Sequence, residues 1–262
     1  MKVFENFSDW MSFRRSSEFS GSLGFVPNTP ATLGFVPTMG ALHEGHIELV
    51  KRSKRENAKT VVSIFVNPTQ FNDPKDFEKY PKTFEADQAK LREAGADYLI
   101  YPKPEQMYPD AYRYFVDEKE QSTILCGAHR AGHFRGVLTV VMKLLNGVDA
   151  ERAYFGEKDY QQMKLIQGMA ESFFMKTQIV PCPTVREKDG LAMSSRNTRL
   201  SPNEREIAPQ IYAALRSKKS LGEIRAELER DGFRVEYLEE HWGRRFIAAS
   251  LGEVRLIDNV QI

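Results

Sequence analysis

Leu33-Gly-Phe-Val-Pro-Thr-Met-Gly-Ala-Leu-His-Glu-Gly-His46 changes character twice along its length. Leu33 to Val36 is a short apolar run with aromatic and β-branched residues, which predicts a strand. Pro37 to Gly40 reads as the turn leaving that strand's carboxyl end. From Glu44 onward the pattern is helical, which puts His43 and His46 in the first turn at i and i+3 spacing, on one face. Strand, turn and helix in succession open a βαβ unit, and α/β sheets bind their ligands at the carboxyl ends of parallel strands.

The alternation continues. Short β-rich runs at Thr60 to Val66, Asp97 to Tyr101, Ala153 to Phe155 and Thr177 to Val180 are separated by amphipathic patterns such as Thr83 to Ala94 and Tyr160 to Ser172. An α/β fold is predicted, a Rossmann-like parallel sheet with helices on both faces. After Val185 to Asn197 the chain becomes a charged helical region, Pro202 to Arg230, and then short strands near Phe233 to Leu238, Phe246 to Ala249 and Val254 to Ile257. The expected division is a large ligand-binding domain over residues 1–184 and a small C-terminal α+β lid domain over residues 185–262. Gly-Phe-Val-Pro occurs at both Gly24 to Pro27 and Gly34 to Pro37, too short an echo for a repeat architecture, and the first copy reads as a loop insertion.

Composition narrows the function classes. The 262 residues are 41% hydrophobic and 28% charged, enough for a sizeable core. The 37 basic residues nearly cancel the 36 acidic ones, so no overall field draws the molecule to nucleic acid or an anionic membrane. Any phosphate affinity has to be local. Met1 to Trp10 lacks the apolar region of a signal peptide, and the longest apolar runs, Val61 to Val66 and Val137 to Met142, fall short of the about 18 residues of a membrane span. A cytoplasmic protein is expected. Cys126 and Cys182 stand apart in no CxxC pair and are expected as reduced thiols. The run Lys51-Arg-Ser-Lys-Arg55 is expected to be a solvated helix face rather than an RNA-binding patch, and Phe173 and Phe174 are expected in the core.

Three constellations carry chemistry. In the first, free backbone N–H groups at the helix start after Gly40 attract phosphate. Gly40 and Gly45, having no Cβ, would let a nucleotide lie against the backbone. His43 and His46 can donate hydrogen bonds to charge developing on an α-phosphate and a departing pyrophosphate; the alternatives are a chance pair or a metal site. The second, Phe155-Gly-Glu-Lys-Asp-Tyr-Gln-Gln162, is another strand end turning into a helix. Gly156 permits the turn, Lys158 is a mobile point charge that reaches phosphate, and Gln162 lies one helical turn beyond it. On its own a Lys and an Asp there would be a solvated cap. The third, Met193-Ser-Ser-Arg196, offers two hydroxyls and a guanidinium from a polar loop that can close over a nucleotide.

Taken together, Pro37 to His46, Phe65-Val-Asn-Pro-Thr-Gln-Phe71, His133-Phe-Arg-Gly-Val-Leu-Thr-Val-Val141, Phe155 to Gln162 and Pro183 to Asn197 resemble the successive blocks of the pantothenate synthetase family, in that family's order. The resemblance is dense over residues 33–200 and continues to Leu256-Ile-Asp-Asn-Val260, similar to the family's closing strand. His43-Glu-Gly-His46 resembles the HxGH motif of the nucleotidyltransferase superfamily, and Met193 to Arg196 stands where class I aminoacyl-tRNA synthetases carry KMSKS. The sequence departs from the family at the extra Gly24 to Thr32 and in a shortened C-terminal region around Glu239 to Arg244.

The resemblance implies an ATP site lined by Met39, Gly40, Ala41, Leu42, His43, Glu44, Gly45 and His46, completed by Gly156, Glu157, Lys158, Asp159, Val185, Met193, Ser194, Ser195 and Arg196. His46 is the implied proton donor, with His43, Lys158 and Arg196 beside the phosphates. Gln70 and Gln162 would hold pantoate, and Gln70 would also face β-alanine; amides can hydrogen-bond a hydroxy acid without adding a competing negative charge. Mg²⁺ is expected with the triphosphate, and Asp87 is the candidate ligand to it, set against the alternative of a solvated helix carboxylate. A homodimer is implied as well.

The implied reaction has two halves. The pantoate carboxylate attacks the α-phosphorus of ATP, pyrophosphate leaves, and the amine of β-alanine displaces AMP from the mixed anhydride. Neither Cys126 nor any Ser has a His–Asp partnership in the sequence, which argues against an acyl-enzyme. Another HxGH enzyme would share the first and third constellations without needing Phe65 to Phe71 or Phe155 to Gln162. A class I aminoacyl-tRNA synthetase would need an anticodon-binding region and a basic surface. A non-catalytic nucleotide-binding module would bind ATP without turnover.

Overall fold

Strand β2 (Leu33–Thr38) follows β1 (Lys2–Phe4) in the chain, and its residues from Leu33 to Val36 are shut away from solvent. A strand covered on both faces reads as an unbroken apolar run, which is why Leu33 to Val36 was legible. The structure, a computed structural model, describes residues 1–23, 32–72 and 74–262. The extra stretch at Gly24 lies outside the described residues except for Thr32.

Strands β3 (Lys59–Ile64), β4 (Tyr98–Ile100), β5 (Arg152–Gly156) and β6 (Gln178–Cys182) complete a six-stranded sheet in the order β1-β4-β3-β2-β5-β6, with every pairing parallel. One face packs Val36, Val62 and Leu99 against Val50 of the Glu44–Glu56 helix and Leu91 of the Phe84–Glu93 helix. The other packs Phe35, Val61 and Phe155 against Leu138 and Leu145 of the His133–Val148 helix and Ile166 of the Tyr160–Ser172 helix. This is the predicted Rossmann-like sheet with helices on both faces. β2 pairs with β3 on one side and with β5 on the other, so the strand order reverses between β2 and β5, and a crevice opens at their carboxyl ends.

The remainder of the chain is a smaller α+β unit. β7 (Arg234–His241), β8 (Arg244–Leu251) and β9 (Val254–Gln261) form an antiparallel sheet whose faces alternate along β8, with a register shift between Val235 and Tyr237 of β7. Ile247 and Ala249 join Ile211, Leu215, Ile224 and Leu228 of the preceding helices, whereas Phe246, Ala248 and Tyr237 join the core of the parallel sheet. The shortened stretch around Glu239 to Arg244 is a tight hairpin: His241 pairs with Arg244, and Trp242 and Gly243 turn the chain with φ of 50° and 66°, as a two-residue type I′ turn requires.

The expectation for two aromatics is corrected. Phe173 is 58% exposed and Phe174 is 92% exposed. The helix stops at Ser172, and Phe174 takes a left-handed φ of 52°, so both fall past the buried face rather than on it. In the basic run, Lys51 pairs with Glu44 and Glu48, Arg52 with Glu56, and Lys54 with Asp97, while Ser53 between them is fully buried. Cys126 and Cys182 are free and buried. Among the described residues no helix is long and apolar enough to cross a membrane.

Candidate active site

The turn after β2 is held from behind. Gly40 and Ala41 both take positive φ, 81° and 49°, and the Gly40 N–H donates to the Thr38 hydroxyl while the next two N–H groups turn to a different acceptor. Buried Asp87, from the first turn of the Phe84–Glu93 helix, receives those of Ala41 and Leu42, one on each carboxylate oxygen at 2.8 Å, and the Thr83 hydroxyl at 3.0 Å. A Cβ on Gly40 would stand 3.1 Å from that carboxylate. Asp87 borders neither cavity of the cleft, and among the described residues no group of three or more His, Cys, Asp or Glu is arranged to hold a metal. Asp87 thus braces the turn, each carboxylate oxygen accepting a backbone N–H.

His43 caps the Glu44–Glu56 helix with extended backbone, and His46 is its third residue. The Nδ1 of His46 accepts the N–H of His43 at 3.3 Å, so its Nε2 carries the proton, and the two rings lie 4.1 Å apart. Burial, with His43 and Lys158 adjacent, pushes His46 down to about 3. Burial and Lys158 push His43 down to about 4. Both are therefore neutral imidazoles at pH 7, donating N–H groups rather than positive charge. Buried Nδ1 of His43 has no hydrogen-bond partner. Gly45 is needed here for a reason other than the expected one: a Cβ would stand 2.9 Å from the His43 ring, so the space over it belongs to that ring.

The Pro68–Gln70 turn after β3 brings in the amide. Buried Asn67 donates from Nδ2 to Gln70 Oε1 at 2.9 Å, while its own Oδ1 accepts from Tyr108 at 2.6 Å and Thr69 at 3.0 Å. Gln70 Nε2 is thereby turned toward Met39, 3.2 Å from its sulfur. Behind the turn, the His133 ring contacts the Gln70 carbonyl at 2.8 Å through Nδ1 and Arg130 at 2.9 Å through Nε2. Arginine can only donate, so the ring accepts at Nε2 and gives its Nδ1 proton to the carbonyl. Burial, with Arg130 adjacent, pushes His133 down to about 3.

From the other side of the crevice β5 delivers Gly156 and the Glu157–Asp159 turn. Lys158 is largely buried and only loosely paired, its Nζ being 3.7 Å from Asp159. The turn is fixed by Asn259 of β9, whose Nδ2 donates to the carbonyls of Glu157 and Lys158 at 2.9 and 3.0 Å. Of the two glutamines that follow, Gln162 borders the cavity, while Gln161 is buried and ties Cys126, Gln121 and Ile124. The expected polar loop is a small hairpin: Met193 N–H donates to Val185, Glu187 N–H to Leu191, and Gly190 makes the turn at φ 93°. Val185 and Met193 are thus neighbours across a ladder. Arg196 and Arg199 both bind Asp76, at 3.1 and 3.0 Å.

These elements enclose a cavity of about 230 Å³ bordered by Met39, His43, Gly45, His46, Gln70, Gly156, Lys158, Asp159, Gln162, Val185, Met193, Ser194, Ser195 and Arg196. Its apolar wall, which the sequence reading missed, is Val137, Val140, Val141 and Leu144 of one helix. A second cavity of about 520 Å³ adjoins it and shares Lys158, Asp159, Ser194 and Arg196. Gly40, Ala41, Leu42, Glu44 and Glu157 border neither. The N–H groups of Ala41 and Leu42 are already taken by Asp87, Glu44 pairs outward with Lys51, and Glu157 lies beside Arg244.

A parallel sheet whose switch point carries an HxGH turn, a lysine turn and an Ser-Ser-Arg segment defines an enzyme of the HxGH nucleotidyltransferase class. Comparison with known proteins narrows this. The family model for pantoate-beta-alanine ligase matches residues 13–261. The chain is 61% identical over 231 residues to a pantothenate synthetase of Bdellovibrio bacteriovorus, covering 88% of this chain and 92% of that one. It is 50% identical over 259 residues to one of Legionella pneumophila, covering 99% of each. The crystal structure of a Francisella tularensis pantoate-beta-alanine ligase, complexed with beta-gamma ATP and beta-alanine, is similar at a TM-score of 0.91 and 41% identity, covering 100% of this chain and 97% of that one. The chain belongs to the pantoate-beta-alanine ligase family.

Proposed function

We propose that the protein condenses pantoate with β-alanine at the expense of ATP, through a pantoyl adenylate, releasing AMP and pyrophosphate. The observation that carries this reading is the meeting, on one cavity at the switch point, of two neutral imidazoles, a loosely paired lysine and two amides from three separate segments. The unpartnered Nδ1 of His43 fits a ligand hydrogen bond there.

ATP would lie along Met39, His43, Gly45, His46, Gly156, Lys158, Asp159, Val185 and Met193 to Arg196. The proton on His46 Nε2 would go into a hydrogen bond with oxygens of the reacting phosphate, and Lys158 would supply the positive charge that the imidazoles do not. Arg196 reaches the phosphates by exchanging Asp76 for them. Gln70 and Gln162 would fix pantoate's hydroxyl and carboxylate, with its methyl groups against Val140, Val141 and Leu144. Water is kept from the anhydride by that wall and by the Met193 hairpin. The described residues offer no ready-made metal cage, so Mg²⁺ is read as arriving on the triphosphate oxygens, where it offsets their charge. The division at residues 184 and 185, a homodimer and a cytoplasmic location belong to the same proposal; sedimentation checks the dimer.

The test is to incubate the protein with ATP, Mg²⁺ and pantoate, adding β-alanine to one arm. Pyrophosphate should appear in both arms, matched in the arm without amine by an equal amount of bound pantoyl adenylate, and AMP and pantothenate only with β-alanine. Formation of ADP in place of AMP would mean an acyl phosphate and would sink the mechanism.

A further inference from the structure

Arg130 is the cation that this mechanism leaves without a task. It follows the short Cys126–His129 helix and borders the larger cavity. The other cations on that wall are matched: Arg196 and Arg199 share Asp76, Arg255 binds Glu236, Lys158 faces Asp159, and Lys79 lies 4.0 Å from Glu253. Among the described residues Arg130 has no carboxylate. Its hydrogen bonds run to neutral groups, Nη1 to His133 Nε2 at 2.9 Å and Nη2 to the Gln70 carbonyl at 3.4 Å. A guanidinium has five N–H donors, so three have no hydrogen-bond partner among the described residues, on a side chain that borders the cavity. Burial first, and then the nearby Arg255 and Arg196, pull its pKa down to about 10, the sign of a charge short of an anion.

We propose that Arg130 binds the carboxylate of the amino acid acceptor, β-alanine, and so selects it over amines that lack one. The proposal rests on the ligase reading above. β-Alanine differs from a simple amine only in a carboxylate two methylenes from the nitrogen, a reach of under about 5 Å at roughly 1.5 Å per bond. Its amine has to approach the pantoyl carbonyl, which that reading sets beside Gln70. Arg130 touches the backbone of that same residue, on the side of the larger cavity that the departing pyrophosphate would vacate. A planar fork also suits a carboxylate held in one orientation. His133 aligns the two, since one neutral ring accepts from Arg130 and donates to the Gln70 carbonyl. The phosphates have a separate set of donors in Lys158, His43, His46 and Arg196.

The experiment compares wild type with Arg130→Gln and Arg130→Lys in each half-reaction. Pyrophosphate release from ATP and pantoate measures the first. Amide formation from pre-formed pantoyl adenylate, with β-alanine or the carboxylate-free 3-aminopropan-1-ol as acceptor, measures the second. Arg130→Gln should raise the KM for β-alanine by about 100-fold or more, and it should slow pyrophosphate release far less. The preference for β-alanine over the aminoalcohol should shrink by a similar factor. Arg130→Lys, which keeps charge but not the fork, should fall between. A β-alanine KM within about threefold of wild type in both variants overturns the proposal, as does loss of pyrophosphate release in step with loss of amide formation, which would assign Arg130 to the phosphates. Failure of wild type itself to make pantothenate overturns the ligase reading instead.

Discussion

His46 shows how a residue can be legible in kind and not in state. Its place in the first turn after a strand followed from the HxGH spacing, and the two rings do share a face, tilted by 41° with centroids 4.1 Å apart. What spacing cannot give is the environment, and here burial and Lys158 keep both rings uncharged. The profile of kcat/KM for ATP reports groups on the free enzyme. It should therefore show no titration of His46 between about pH 5 and 8; an inflection near 6.5 that vanishes in His46→Gln would show that the ring works as an imidazolium. Gln70 and Gln162 were legible through the resemblance of Phe65 to Phe71 and Phe155 to Gln162 to the family's blocks, with amide chemistry agreeing with the implied role. Asn259 was not, because what makes it part of the site is a pair of hydrogen bonds to a turn a hundred residues away.

The turn from Met39 to His43 belongs to β2 and its helix, yet its shape is set by a third element, the Phe84–Glu93 helix. Asp87→Asn keeps two acceptor lone pairs but sets an amide N–H against one of the two backbone donors. A buried polar mismatch of that kind costs about 1–3 kcal/mol, so the melting temperature should fall by several degrees and adenylate formation should weaken with it. The Mg²⁺ concentration giving half-maximal rate should not move. If it rises strongly while stability is unchanged, Asp87 holds the metal and the brace is secondary. Strands of the parallel sheet were legible because both faces are buried, whereas β1 spans only Lys2–Phe4, too short to show a pattern. The Val185 to Met193 hairpin escaped notice because its ladder sets Val185, Arg186 and Glu187 against Leu191, Ala192 and Met193, two three-residue stretches with no period-2 alternation to mark a strand.

Across the whole molecule, three histidines are folded in neutral form, with pKa values near 4, 3 and 3 for His43, His46 and His133 against 6.5 in an open chain. Between those limits the unfolded chain binds more protons than the folded one. Stability contributed by these rings is thus complete above about pH 6.5 and is lost as pH falls toward their folded values, at up to about 1.4 kcal/mol per pH unit for each ring. Carboxylates such as Asp76 and Glu56, held below their usual range, give way only lower down, so the interval from pH 6.5 to 5 isolates the histidines. Melting temperature should drop steeply across it, and His133→Gln should flatten the drop. A melting temperature constant from pH 7 to 5 would contradict the neutral rings.

The bond from Asn259 to the Lys158 turn also sets an order of events during synthesis. Lys158 leaves the ribosome 101 residues ahead of the side chain that fixes its carbonyl. At roughly 5–20 residues per second the interval is about 5–20 s, in which the parallel sheet is complete in sequence but its lysine turn is not yet tied. A nascent chain stalled between residues 182 and 259 therefore carries all six strands of the sheet while the carbonyls of Glu157 and Lys158 still lack their Asn259 donor, so the lysine turn is the last part of the crevice to be tied down.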